Sequence, residues 1–387
     1  MSLFRPLQIA VFVLAAWQPL GAQAQARVDA QAVSRHYAAL VQASYEDAFG
    51  AAQALQQAVT AFTAAPSAEG LAAARQAWLA AREWYGQTEA FRFYAGPIDD
   101  DKGPEGRLNA WPLDESYVDY VKGKPTAGFI NDRKVVISKA NLMRLNERGG
   151  EENIAAGWHA IEFLLWGQDQ DPNGPGKRSF EDYVDGKAPN ADRRRLALQT
   201  MTELLIDDLR GLVAAWAPEA RNYRAGFERG GQESVRRIIV GLGSLSRGEL
   251  AGERMEVALN TQDQEDEHSC FSDNTHRDVV TNALGIRNVW TGEYRRRDGS
   301  LLQGPSLRQL VAQADPALAE RATTQIATSV SRAEAIPAPF DRAIIGGKDA
   351  PGRQKIQATI DSLVQQSKDL VAAANAVGIT RLTLVKP

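Results

Sequence analysis

Two ionisable side chains stand in an otherwise apolar stretch. Residues 153–167 read N-I-A-A-G-W-H-A-I-E-F-L-L-W-G, and only His159 and Glu162 interrupt the apolar and small residues inside it. Three residues apart on a helix, they share one face. A helix that is apolar nearly all round is a buried one. A buried charge is costly unless it is paired or bound to a metal. One imidazole and one carboxylate side by side are therefore half of a candidate metal site; the competing reading is a buried ion pair that holds two helices in register. The spacing is neither H-E-x-x-H nor H-x-x-E-H, because Phe163 follows Glu162. One imidazole with carboxylates suits a harder, octahedral ion better than structural zinc. Di-iron bundles use the same pair in reverse order, Glu-x-x-His. The other ligands must come from elsewhere in the chain. Glu89 and Asp114 are the candidates, with Asp99 behind them, and Arg82 is a candidate to balance charge in the cleft.

A second stretch, Glu265 to Asp278, reads E-D-E-H-S-C-F-S-D-N-T-H-R-D and is dense in groups able to bind: Glu267, His268, Ser269, Asp273, Asn274 and His276. It reads either as a solvated helix end, whose Ser, Asp and Asn cap neighbouring helices, or as a second wall of the same cleft. On the second reading Ser269 and Asn274 offer hydrogen bonds to a ligand. A nucleophilic Cys270 with His268 or His276 as base is disfavoured, since neighbours two and six along a helix do not face it well. Other patterns fail. Gly241 to Gly248 lacks the spacing of a dinucleotide fingerprint and follows no strand, and Asp171 stands where a P-loop ending at Gly176-Lys177 needs its first glycine. There is no G-x-S-x-G.

Positioning these residues falls to helices. Val28–Ala64 carries apolar residues at helical spacing, and Pro66-Ser67 ends that helix and starts another that runs to about Tyr94. Gly96-Pro97 breaks it, and Asp99 to Pro112 is a loop. Helical patterns recur at Ser138–Glu147, Ala191–Trp216, Gln232–Asp263, Ser306–Ala314, Pro316–Ala335 and Arg353–Val377. Only Ile379–Val385 is a candidate strand. The expected fold is all-α, two helical-bundle domains with a cleft between them. The polar loop Gly167–Pro189 places the boundary, giving an N-terminal bundle over 27–188 that carries the central helix and a C-terminal bundle over 189–387.

The totals narrow the class. The chain has 387 residues, 44 basic and 48 acidic, for a net charge of −4, with no block of like charge to favour nucleic acid. The first 26 residues differ from the rest. Arg5 is their only charge, Ile9 to Ala16 is an apolar core, and Ala22-Gln23-Ala24 and Ala24-Gln25-Ala26 offer small-x-small cleavage sites. This predicts a cleavable signal peptide over 1–26, too short to span a membrane, and an exported product with no later transmembrane segment. A single cysteine, Cys270, excludes an internal disulfide.

Gly157-x-His159-x-x-Glu162 resembles the signature of the imelysin family. That family includes insulin-cleaving metallopeptidases, iron-regulated exported proteins, and the periplasmic component of a ferrous iron uptake system. The resemblance extends to Gly86-Gln-Thr-Glu89-Ala-Phe91, Gly96-Pro97-Ile98-Asp99, Trp111-Pro112-Leu113-Asp114 and Glu267-His-Ser-Cys-Phe-Ser-Asp-Asn-Thr275. It implies two helical bundles with Gly157, His159 and Glu162 lining the cleft, and a periplasmic protein that binds a metal. Iron is favoured and zinc is the alternative, with a membrane-bound iron-uptake component as a partner. The family also implies a metallopeptidase as a second reading, with Glu162 as the catalytic group. A zinc peptidase needs three protein ligands, an open position and a general base, and the motif supplies two groups in all. A non-catalytic binding or interaction protein is the third reading.

Overall fold

The computed structural model describes residues 27–384. The expected signal peptide lies outside them. Eight α-helices of ten residues or more carry the fold among the described residues: α1 (Ala30–Ala64), α2 (Ala68–Tyr85), α3 (Gly157–Trp166), α4 (Ala191–Trp216), α5 (Gln232–Ser244), α6 (Thr275–Thr291), α7 (Pro316–Glu334) and α8 (Pro351–Ala376). The all-α expectation holds. The only strands among the described residues, Glu293–Arg295 and Leu301–Gln303, pair antiparallel with Tyr294 opposite Leu302. At three residues each they are too short to leave an alternating pattern. The strand expected at Ile379–Val385 is irregular as far as Leu384, where the described chain ends.

Helix ends follow local chemistry. Asp29 caps α1 by accepting from the Ala32 amide at 2.7 Å, and Ser67 caps α2 through the Gly70 amide at 3.0 Å. The second helix stops at Tyr85, short of the expected Tyr94, and tightens into a 3-10 turn over Gly86–Phe91. The expected helix Gln232–Asp263 is continuous to Thr261, but Leu245–Glu256 winds as a π-helix. Central helix α3 is shorter than the apolar run that announced it, and all ten of its residues are buried. It begins at Gly157 with φ +88°, where a methyl group would lie 2.5 Å from the carbonyl oxygen of Arg107 and 2.6 Å from that of Leu108. Only glycine fits there.

Packing sets the site. Helix α1 lies along α2 and α4, and α3 packs on both α2 and α4. Helix α4, though it follows the expected boundary at 188, is thus a partner of the helices before it. Further on, α8 packs against α7, the π-helix and α5, and α6 lies on α7. Helix α6 also packs against α2 and the 3-10 turn, with Gly285 so close that a Cβ would meet the Gln87 carbonyl oxygen at 2.3 Å. One continuous apolar cluster runs through both groups of helices.

Candidate metal centre

His159 and Glu162 meet on α3 as their spacing requires: His159 Nδ1 lies 2.9 Å from Glu162 Oε2. Both are buried. The other carboxylate oxygen, Oε1, accepts from the Ser272 amide at 2.9 Å and from its hydroxyl at 2.6 Å. Burial pushes the Glu162 carboxyl up to about 8, and Ser272 only partly offsets it. Burial, and then the nearby His268, hold the His159 imidazole well below its ordinary value, so the ring is neutral. Nε2 of His159 is buried with no hydrogen-bond partner.

Ser272 and His268 come from the second stretch, which is not a solvated helix end. Glu267, His268, Ser269, Ser272, Asn274 and Asp278 are all buried, and the segment packs on α3 as a wall of the same site. The His268 ring stands 4.6 Å from that of His159, centroid to centroid, at 68°. Its Nδ1 lies 2.9 Å from Asp278 Oδ2, which also accepts from the Ser269 hydroxyl at 2.5 Å. Asp278 Oδ1 takes Nε and Nη2 of Arg82 at 3.2 and 3.0 Å, and the Asn274 amide reaches the same oxygen at 3.4 Å. Burial alone would raise the Asp278 carboxyl; Arg82, His268 and Ser269 outweigh it and hold it far below the usual range. Burial holds His268 down at about 4. The Trp111 ring covers His268 at 5.3 Å.

Arg82, named to balance charge, does so for Asp278. It is fully enclosed, with its guanidinium 5.4–5.6 Å from the Trp78, Tyr85 and Trp158 rings. Ser269 and Asn274 are brought to the same carboxylate. The other expected ligands are held differently. Glu89 Oε2 accepts from Arg92 at 2.6 Å and Arg254 at 2.7 Å. Those two guanidiniums overcome burial and hold its carboxyl at about 2. Glu89 is one side chain away from His268, through Asn109 Nδ2, which lies 3.4 Å from both Glu89 Oε1 and His268 Nε2. Asp114 uses its carboxylate to cap Glu115–Val118, accepting from the Ser116 amide and hydroxyl at 2.9 and 2.7 Å. Asp99 accepts from the Phe93 and Gly96 amides and shapes the turn there. Burial pushes the Cys270 thiol well up, which disfavours the thiolate a nucleophile needs.

Sequence reasoning missed Arg92, Asn109, Glu249, Arg254 and Asn282, and did not single out Ser272 and Asp278 within the second stretch. Arg254 and Glu249 come from the π-helix, and Arg254 also donates to Asn282 on α6 at 2.6 Å. The one available signal was histidine scarcity: the chain has four, and two of them meet here. Among the described residues no three His, Cys, Asp or Glu side chains are gathered into a ready cage for an ion. The donor chemistry fits a metal at one point, the unpartnered Nε2 of His159, an imidazole with a carboxylate behind it, which is how metal-binding histidines are held.

The family model described as imelysin matches residues 41–370, almost the whole described chain. The chain belongs to the imelysin family. It is 29% identical over 364 residues to iron-regulated protein A of Synechococcus elongatus, covering 90% of this chain and 88% of that one. Among solved structures, it resembles one from Parabacteroides distasonis described as an iron-regulated protein A precursor. The TM-score is 0.69 at 18% identity, over 92% of this chain and 97% of that one. An imelysin-like protein from Psychrobacter arcticum gives a TM-score of 0.65 at 14% identity, over 92% and 99%. These two likenesses establish the imelysin-type helical fold. No helix among the described residues is long and apolar enough to cross a membrane.

Proposed function

We propose that this imelysin-family chain is an exported protein that binds iron in uptake or handling, at the buried pair His159 and Glu162. The observation that carries the reading is Nε2 of His159: a buried imidazole nitrogen without a partner, backed at Nδ1 by the Glu162 carboxyl, whose charged form a bound cation would favour. A buried polar atom left unsatisfied costs about 1–3 kcal/mol, and a bound cation removes that cost. Export is supported by the leader-like residues 1–26 and by a related protein being described as a precursor. Iron is supported by the name of the Synechococcus relative. Peptide hydrolysis has less behind it, since a zinc peptidase needs three protein ligands and a free general base, and both oxygens of Glu162 are already engaged.

Metal content by mass spectrometry tests the proposal. The mature chain, purified without a metal-affinity tag, is compared with His159→Ala. Near-stoichiometric iron in the wild type and none in the variant is the expected result. Equal metal in both, or none in either after reconstitution under reducing conditions, would overturn it.

A further inference from the structure

We propose that His268 supplies the second imidazole of the centre, so that the cation is bound through Nε2 of both His159 and His268, while Glu162 and Asp278 act as the carboxylates that orient the two rings. This rests on the metal-binding reading above and names the donor set. The two histidines are built alike. Each is buried, each has a carboxylate oxygen 2.9 Å from its Nδ1, and the rings lie 4.6 Å apart. Metal-binding imidazoles are nearly always held this way at the nitrogen that does not bind.

The surrounding hydrogen bonds decide which nitrogen of His268 carries its proton. Arg82 Nη1 can only donate, and it reaches Asn109 Oδ1 at 2.6 Å. The amide is thereby fixed with Nδ2 toward His268, at 3.4 Å from Nε2. Nδ2 is a donor, so Nε2 presents its lone pair and the proton sits on Nδ1, facing Asp278. That is the tautomer a cation requires. Arg82 therefore sets His268 twice, through Asp278 and through Asn109.

Glu162 is poorly placed to be the second ligand itself. Oε1 already takes two hydrogen bonds from Ser272, and Oε2 is occupied by His159. Oε2 faces Nδ1, so it is turned away from a cation held at Nε2 of the same ring, whereas His268 Nε2 has only one long contact, to Asn109. The donor type has a consequence for the cation. Two neutral imidazoles suit ferrous iron and other borderline divalent ions; calcium and magnesium prefer oxygen.

Cupric ion is the probe, because nitrogen coupling in its electron paramagnetic resonance spectrum counts the bound imidazoles. The mature chain is compared with His159→Gln, His268→Gln and the double variant, which supplies the background from His36 and His276. The expected pattern is two coupled nitrogens in the wild type, one in each single variant, and none above background in the double. Competition titration should show affinity falling by more than about 100-fold in His268→Gln, beyond the 10–100-fold expected of an orienting residue. One coupled nitrogen in the wild type overturns the proposal, and this holds even if a variant fails to fold. Wild-type affinity in a folded His268→Gln also overturns it. No specific copper, iron or zinc in the wild type overturns the metal reading itself.

Discussion

Glu89→Gln keeps the shape of a buried side chain and removes its charge. The carboxylate is enclosed by Arg92 at 2.6 Å and Arg254 at 2.7 Å. Removing one partner of a buried ion pair costs about 3–5 kcal/mol, because the stranded charge stays out of water. Here the stranded cations keep other acceptors: Arg92 has Glu105 at 2.9 Å, and Arg254 has Glu249 at 2.8 Å and Asn282 at 2.6 Å. The loss should sit at the lower end, about 3 kcal/mol. At about 2.1 cal/mol/K of unfolding entropy per residue across residues 27–384, this lowers Tm by roughly 4 °C. Scanning calorimetry of the mature chain at pH 7 reads that shift, and metal titration of the same samples reads the role. With Glu89 as the counter-charge of the two arginines, the variant binds metal within a fewfold of the wild type. An unchanged Tm would refute the argument that this cage is held by charge. Lost metal at a wild-type Tm would make Glu89 a ligand.

Three further outcomes follow from the geometry. Ser272→Ala removes the hydroxyl but not the amide that hold Glu162; metal affinity should fall about tenfold, in the range for an orienting partner, and a titration showing no loss would mean that Glu162 needs no such support. Gly157→Ala forces a methyl group against the Arg107 and Leu108 carbonyls at φ +88°, so Tm should drop by more than about 4 °C, given several kcal/mol of strain; a drop under about 1 °C would show that the turn can relax. Asp341→Asn tests an acidic cluster whose burial and mutual repulsion Arg342 and Lys177 only partly offset. Burial first, and then neighbours that include Asp341, push Asp169 up to about 6 and Asp273 to about 7. Carboxyls raised above their unfolded values stabilise the chain at low pH and lose that contribution as pH rises through about 6 to 7. Removing the Asp341 charge should therefore raise Tm at pH 8 and leave it nearly unchanged at pH 5; the reverse order in a calorimetric pH series would rule out the repulsion.

What the sequence determined by itself is what depends on neighbours within a helical turn or two. Apolar periodicity was enough for the long helices, and Asp29 and Ser67 cap theirs through residues three positions on. His159 and Glu162 meet because three residues is nearly one turn, whatever packs around them. The π-helix carrying Glu249 and Arg254 left no such mark, and it packs on α8, more than ninety residues further on; the short hairpin packs on α1 and α6, with the Tyr294 hydroxyl donating to Asp47. Tertiary structure alone decided the company of the pair. Ser272 lies 110 residues from Glu162 along the chain, and Arg82 lies 196 from Asp278. No local spacing encodes such contacts. Which carboxylates become counter-charges and which become caps is settled by what the fold brings to each, a guanidinium in the dry interior or the free amides of its own helix. Glu89 went to Arg92 and Arg254, Asp114 to its own helix, and Asp278, at the end of the second stretch but not singled out there, to Arg82 and His268.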